Sequence, residues 1–190
     1  MSSLPDSSRI AFKEWAGVCD ALMTGRQAII LRKGGILERP GGFAPEHSSF
    51  WLYPTHVHQA EQGLRLERWV EEASGSPPAA TDRVMIHAFA AVELVHFVGA
   101  EETLLPLAPF HILTEETVRK RFHYRKPGLW VLGVRVFRRD EPWPLDPTPE
   151  QLGCKSWVVL DTPLATQGLQ PVLDAADWAQ RIDRLRSLLE

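Results

Sequence analysis

The sequence predicts an α+β fold: a mostly antiparallel sheet, curled or closed into a small β-barrel, with flanking helices. Three observations carry this. Apolar, β-branched runs recur at 27–31 (QAIIL), 129–138 (LWVLGVRVFR) and 156–160 (SWVVL), the pattern of buried strands. Helical periodicity appears in separate stretches near the two ends and in the middle of the chain. No strand–helix–strand rhythm connects the two kinds of segment, which argues against a doubly wound parallel sheet.

The elements follow in chain order. Asp6, Ser7 and Ser8 are N-cap residues for a first helix over 9–24. On it Ile10, Trp15, Val18, Cys19, Leu22 and Met23 recur at helical spacing, and Gly25 suits the residue that ends it. Residues 27–31 form a strand, Gly34 and Gly35 turn the chain, and 39–45 (RPGGFAP) reads as a loop. A second strand covers 50–53 and is closed by Pro54. Residues 59–73 read as a helix or an irregular helical pair, with Leu64, Leu66, Trp69 and Val70 inward. The segment 74–80 (SGSPPAA) is an exposed linker or a disordered loop. Residues 83–97 form one strand, or two meeting at a bend, although Ala88 to Ala91 weaken that reading. Pro106 and Pro109 mark an irregular connection. Thr114 caps a short helix with Glu115 and Glu116 in its first turn, where the helix dipole favours them, and Val118 and Phe122 on its buried face. Residues 129–138 are the clearest strand. Prolines 142, 144, 147 and 149 make 141–149 a rigid extended crossing, 156–160 is the last strand, and Asp174 caps a final helix with a Trp178, Ile182, Leu185 and Leu189 stripe. About five strands and three or four helices result. They make one domain over 9–160, with a loop near 74–82, and a C-terminal extension over 161–190 packed on it.

The bulk numbers narrow the function classes. A chain of 190 residues with 44% apolar content can bury a substantial core. The net charge of −3 does not announce a nucleic-acid binder, although it leaves room for a local basic patch. Cys19 and Cys154 lie far apart and show no metal-type spacing, which suits a reduced, cytoplasmic protein. The first eight residues lack the apolar core of a signal peptide, and no apolar run is long enough to span a bilayer.

Two resemblances extend this reading. Phe12-Lys13-Glu14-Trp15, Leu31-Arg32-Lys33-Gly34-Gly35-Ile36, Glu46-His47 with Tyr53-Pro54-Thr55, His111-Ile112-Leu113-Thr114 and Cys154-Lys155-Ser156-Trp157-Val158 resemble a bacterial family of domains of unknown function, eighteen-zero-two in its series. That resemblance covers nearly the whole chain and implies a cytoplasmic bacterial protein without an assigned activity. The order of a first helix, Gly25, the QAIIL strand and Arg32-Lys33 is similar to the opening of ASCH domains of the PUA-like superfamily. Val84 to Phe97, the Thr114 helix and LWVLGVRVF followed by Pro142-Trp143-Pro144-Leu145 are similar to their second half. The chain departs from that family in having Gln27 near the place of its lysine, no glutamate in the strand, and a long insert over 39–80. The resemblance implies a PUA-like barrel, and such folds often bind RNA or modified nucleotides.

The densest group of reactive side chains is 46–59 (EHSSFWLYPTHVHQ). If 50–58 is extended, His56 and His58 share a face, opposite Trp51, Tyr53, Thr55 and Val57. Arg32 and Lys33, at a strand end beside two glycines, form either a phosphate or carboxylate clamp or a solvated turn. His56 and His58, with Glu46 or His47 nearby, are metal ligands, acid–base groups or simply half-exposed histidines. Glu14 either faces the cleft of Lys33 or is solvated helix surface. His87 and His96 are core histidines. Arg119, Lys120, Arg121, His123, Arg125 and Lys126, interleaved with Phe122 and Tyr124, suit a nucleic-acid backbone with stacked bases, or form a solvated face.

The leading reading is a nucleic-acid- or modified-nucleotide-binding module. Arg32, Lys33, Tyr53 and Thr55 would line its cleft, and Arg119, Arg121 and Arg125 would hold phosphates. One alternative is a hydrolase of a phosphodiester or amide using Glu46, His56 and His58, metal-independent or weakly metal-dependent. Another is a protein-interaction domain. No bound metal, no cofactor and no membrane partner are expected, and Lys33 is expected to share a pocket with His56 or His58.

Overall fold

The computed structural model describes residues 4–33, 36–39, 42–56, 63–65, 83–153 and 155–190, with the backbone alone at 36–39 and 42–45. The elements are β1 (Ser7–Trp15), α1 (Ala16–Met23), β2 (Ile29–Arg32), β3 (Ile36–Arg39), β4 (Gly42–Pro45), β5 (Ser49–Thr55), β6 (Val84–Val98), a 3₁₀ helix (Glu101–Phe110), α2 (Glu115–His123), β7 (Leu129–Leu145), α3 (Pro149–Leu152), β8 (Trp157–Ala165), β9 (Gln170–Pro171) and α4 (Ala175–Leu189). The main sheet runs β2-β7-β6-β5-β1-β8, with β9 paired to β7. It is open, with β2 and β8 at the two ends of that order. All its described pairings are antiparallel except β1 with β5. The α+β class and the curled, mostly antiparallel sheet are therefore as the sequence indicates.

The largest departure lies at the N-terminus. The expected helix over 9–24 is half strand: β1 occupies Ser7–Trp15, and α1 begins only at Ala16. Ile10, Trp15 and Val18 fit a helical spacing, but Phe12 and Ala11 are 1% and 0% exposed. Full burial of consecutive residues belongs to a strand covered on both faces, and β1 lies between β5 and β8. Asp6, Ser7 and Ser8 therefore cap nothing. Gly25, with φ of 70°, does follow the helix in the left-handed conformation that ends it.

Other corrections lengthen strands. β5 continues through Pro54 to Thr55, because its proline pairs across a parallel ladder with Glu14 of β1. β6 is a single strand through Ala88, Ala90 and Ala91. Small residues there fit beneath the helices on a sheet buried on both sides. β7 does not stop at Arg138 but continues through Pro142 and Pro144 to Leu145. The register jumps from Ala88↔Arg138 to Ile86↔Trp143, so the strand bends there. The region expected to be a loop at 39–45 contributes to the β3–β4 hairpin, and the segment around Pro106 and Pro109 is a 3₁₀ helix. Nine described strands replace the expected five. β8 runs to Ala165, past the expected end at residue 160. Most of the expected helix over 59–73, the linker at 74–80, Gly34, Gly35, His58 and Cys154 lie outside the described residues.

Two apolar clusters sandwich the sheet. On one face Phe12, Phe50, Leu52, Ala88, Ala90, Val134 and Val136 pack with Val18 and Leu22 of α1, Val118 and Phe122 of α2, and Trp178, Ile182, Leu185 and Leu189 of α4. On the other, Ala11, Trp51, Tyr53, Phe89, Val158 and Leu160 form a smaller cluster. The alternation Phe12/Ala11 and Leu52/Tyr53 sets the facing of the residues of β1 and β5. Thr114 caps α2 by accepting from the backbone N–H of Thr117, and Asp174 caps α4 by accepting from Ala176 and Asp177.

Candidate nucleic-acid interface

Glu14 is the focus of the strongest polar cluster. It follows Phe12 by two residues on β1, so it points to the helix-covered face and is 3% exposed. Its Oε1 accepts from the backbone N–H of Trp15 at 3.0 Å. Its Oε2 is buried and has no hydrogen-bond partner among the described residues. Two guanidinium groups flank it: Arg32 Nη1 at 3.7 Å from Oε2 and Arg121 Nη2 at 3.9 Å from Oε1. Those distances give Coulombic attraction without hydrogen bonds.

Each arginine is held by other contacts. Arg32 lies over the ring of Phe12 at 4.6 Å and donates from Nη2 to Ser156 Oγ. Arg121 lies over Trp15 at 4.3 Å and donates to the carbonyl of Leu31 at 3.2 Å. Stacking on an aromatic face fixes the plane of a guanidinium and leaves its edges for an acceptor. Burial, opposed by Glu14 and reinforced by Arg32, lowers the pKa of Arg121. Phe12, Phe50, Trp157 and His47 form a ring cluster beside this site, with His47 4.9 Å from Trp157. The Trp157 indole nitrogen is buried without an acceptor among the described residues.

The other predicted residues divide. Lys33 meets no histidine among the described residues. Its Nζ donates to the carbonyls of Phe122, Lys126 and Gly128, so it closes the C-terminal end of α2 and the turn into β7. Desolvation there lowers its pKa. His56 lies instead in a cleft of about 560 Å³ with Cys19, Asp20, Met23, Leu52, Pro54, Met85 and His87, and Lys33 is not among its lining residues. The expected shared pocket of Lys33 and His56 is therefore absent, because β2 and β5 lie three strands apart in the sheet. Tyr53 sits on the opposite face from Glu14, 2% exposed, its hydroxyl without a partner among the described residues, and burial raises its pKa. Thr55 follows two residues later on the same strand. Glu46 is exposed, next to His47.

The basic run is mostly paired. Arg119 bonds Glu101 at 2.7 Å and Glu115 at 3.1 Å, Lys120 bonds Glu116 at 2.6 Å, and His123 bonds Glu101 at 2.5 Å. The bond from His123, followed by those from Arg119, lowers the pKa of Glu101. Arg121 turns inward to Glu14. Arg125 has φ of 64° and lies 5.1 Å over the exposed ring of Tyr124. A cross-strand row Arg32–Trp130–Phe97 links the Glu14 cluster to Phe97, which is 47% exposed.

Ser156, Asp20 and His87 were not legible as site residues. Ser156 lies in a stretch that resembles the family but carries no role there, and Asp20 reads as an ordinary polar helix position. Burial lowers the pKa of His87, and desolvation raises that of Asp20 against the pull of His87 and His56. Among the described residues, no group of three or more His, Cys, Asp or Glu side chains is placed to hold a metal ion. No described helix is long and apolar enough to cross a membrane.

No curated protein matches the chain. Among solved structures, ASCH from Zymomonas mobilis aligns with 15% identity over 95% of each chain and a TM-score of 0.43. Two point mutants of ZmASCH from the same organism align with 15% and 14% identity, cover 96% and 93% of this chain and 99% and 96% of theirs, and also score 0.43. The family described as "Domain of unknown function (DUF1802)" matches residues 11–184, and this chain belongs to it.

Proposed function

We propose that this domain binds single-stranded RNA or a nucleotide at the Glu14–Arg32–Arg121 cluster. The observation that carries the reading is Glu14: a carboxylate 3% exposed, with one oxygen unbonded among the described residues, between two arginines held on aromatic faces. Leaving a buried carboxylate oxygen unsatisfied is costly. A base amino or imino N–H on the ligand satisfies it, and the guanidinium edges take phosphate oxygens. From there the Arg32–Trp130–Phe97 row and the exposed Tyr124–Arg125 pair offer stacking and charge for adjoining nucleotides. Lys33 supports this surface by holding the α2–β7 turn. Arg119 is occupied by Glu101 and Glu115 and contributes little.

Fluorescence anisotropy with a labelled single-stranded RNA of mixed sequence tests this at low salt. Micromolar or tighter binding that falls at least tenfold in Arg32→Met supports it. Binding unaltered by that change, or none at all, removes it.

A second reading is acid–base chemistry in the cleft of Asp20, His56 and His87, favoured by the opposed shifts of Asp20 and His87. A phosphodiester or amide hydrolase assay on the unaltered chain and on Asp20→Asn tests it: loss of turnover in the variant supports the reading, and absence of turnover in the unaltered chain removes it.

A further inference from the structure

Arg135 is 9% exposed, and its Nε is buried without an acceptor among the described residues. Its neighbours Val134 and Val136 pack in the larger apolar cluster, so Arg135 points to the other side of β7, the side on which Gly133 packs against Ile182 and Leu185 of α4. The one contact of its guanidinium among the described residues is the ring of Phe137, 5.4 Å away. No described carboxylate or carbonyl bonds it. A buried guanidinium nitrogen left without an acceptor is costly unless something pairs with it.

The register shows what lies beside it. Arg135 pairs with Ala91 on β6, and Ala91 pairs with Ser49 on β5. All three side chains therefore share a face. The next row on that face is Phe137–Phe89–Trp51, an aromatic wall. Adjacent strands lie about 4.8 Å apart, so Arg135 and Ser49 are roughly 10 Å apart at Cα, with only a methyl group between. Ser49, Ala91 and Phe137 keep partial contact with solvent, which leaves the row accessible.

We propose that Arg135 and Ser49 form an oxyanion site over Ala91, taking a phosphate group. The guanidinium supplies the charge and a two-pronged donor edge, Ser49 supplies a hydroxyl donor from the far side, and Phe137 holds the guanidinium plane. The phosphate belongs either to a free phosphate species or to a phosphodiester strand. The site lies on the opposite face of the sheet from Glu14, so it does not depend on the RNA-binding reading above.

The test is thermal unfolding of the whole chain in chloride buffer, titrated with inorganic phosphate or with the dinucleoside monophosphate UpU at constant ionic strength. The unaltered protein gains several degrees with at least one of them. A response to inorganic phosphate alone identifies a free phosphate ligand, and a response to UpU identifies a strand. Arg135→Met abolishes the response and, without any anion, melts at or above the unaltered protein, because a buried Nε without an acceptor among the described residues is gone. Ser49→Ala weakens the response about two- to tenfold, the loss of one hydrogen bond. No response to either anion in the unaltered chain overturns the site. So does an Arg135→Met chain that still responds, or that melts well below the unaltered protein.

Discussion

Glu14 and Arg121 approach to 3.9 Å without forming a hydrogen bond, although both are held in place. Glu14 is fixed by its bond to the backbone of Trp15, and Arg121 by the ring of the same Trp15 and the carbonyl of Leu31. One tryptophan thus orients both partners and keeps them just too far apart to satisfy each other. A ligand with donors for the carboxylate and acceptors for the guanidinium completes both.

Glu14→Gln retains the shape and the bond from Trp15 but removes the charge between the two arginines. We expect RNA binding to fall by about tenfold, since a hydrogen bond to a charged group contributes about 1.5–3 kcal/mol. We expect stability to change by less than about 1 kcal/mol, because the lost attraction is offset by relief of carboxylate burial. Parallel anisotropy and urea denaturation separate the two effects. A large loss of stability with unchanged binding would assign Glu14 to the fold alone.

Lys33→Ala is expected to damage the fold rather than the chemistry. Three carbonyls lose their charged donor at the end of α2. The expected cost is about 2 kcal/mol, or a melting temperature lower by roughly 4–8 °C in a domain of this size. A melting temperature within one degree of the unaltered protein would show that Lys33 is not structural.

Stability should fall in mild acid because of His111. It is 4% exposed, its Nδ1 accepts from the backbone N–H of Leu113, and burial with nearby Arg65 and Arg121 holds its pKa at about 4. The unfolded chain takes up this proton near pH 6.5 and the folded chain only near pH 4. The contribution is thus complete above pH 6.5 and is lost as pH falls between those values, amounting to about 3 kcal/mol. Urea denaturation at pH 7.5 and pH 4.5 measures it. His111→Asn should flatten that part of the profile, and an unchanged slope in the variant would assign the acid sensitivity elsewhere.

Much of this architecture was legible in the chain. The QAIIL and LWVLGVRVFR strands, the Thr114 and Asp174 caps and the apolar stripe of α4 all arise from local patterns that tertiary packing reinforces. β1 was not, because Ile10, Trp15 and Val18 satisfy a helical period while the burial that makes 7–15 a strand comes from β5 and β8, remote in sequence. The same non-locality governs the site. Arg32 and Arg121 stand out as basic residues at element ends, but their meeting at Glu14 depends on the order β2-β7-β6-β5-β1-β8 and on the curl of the sheet. Lys33 illustrates the converse: a lysine after a strand and before two glycines looks like a ligand clamp until three backbone carbonyls are found around it. Arg135 sits between two core valines in the clearest strand, and its lack of an acceptor among the described residues is a three-dimensional property.

The most direct test of the central claim is the salt dependence of single-stranded RNA binding for the unaltered chain and for the Arg32→Met, Arg121→Met double variant. If the cluster holds phosphates, the unaltered chain binds with affinity that falls as salt rises, and the double variant loses about 1–1.5 units from the log–log slope along with at least tenfold in affinity, near 0.7 per phosphate contact for single strands. Equal slopes and equal affinities in the two proteins would contradict the account.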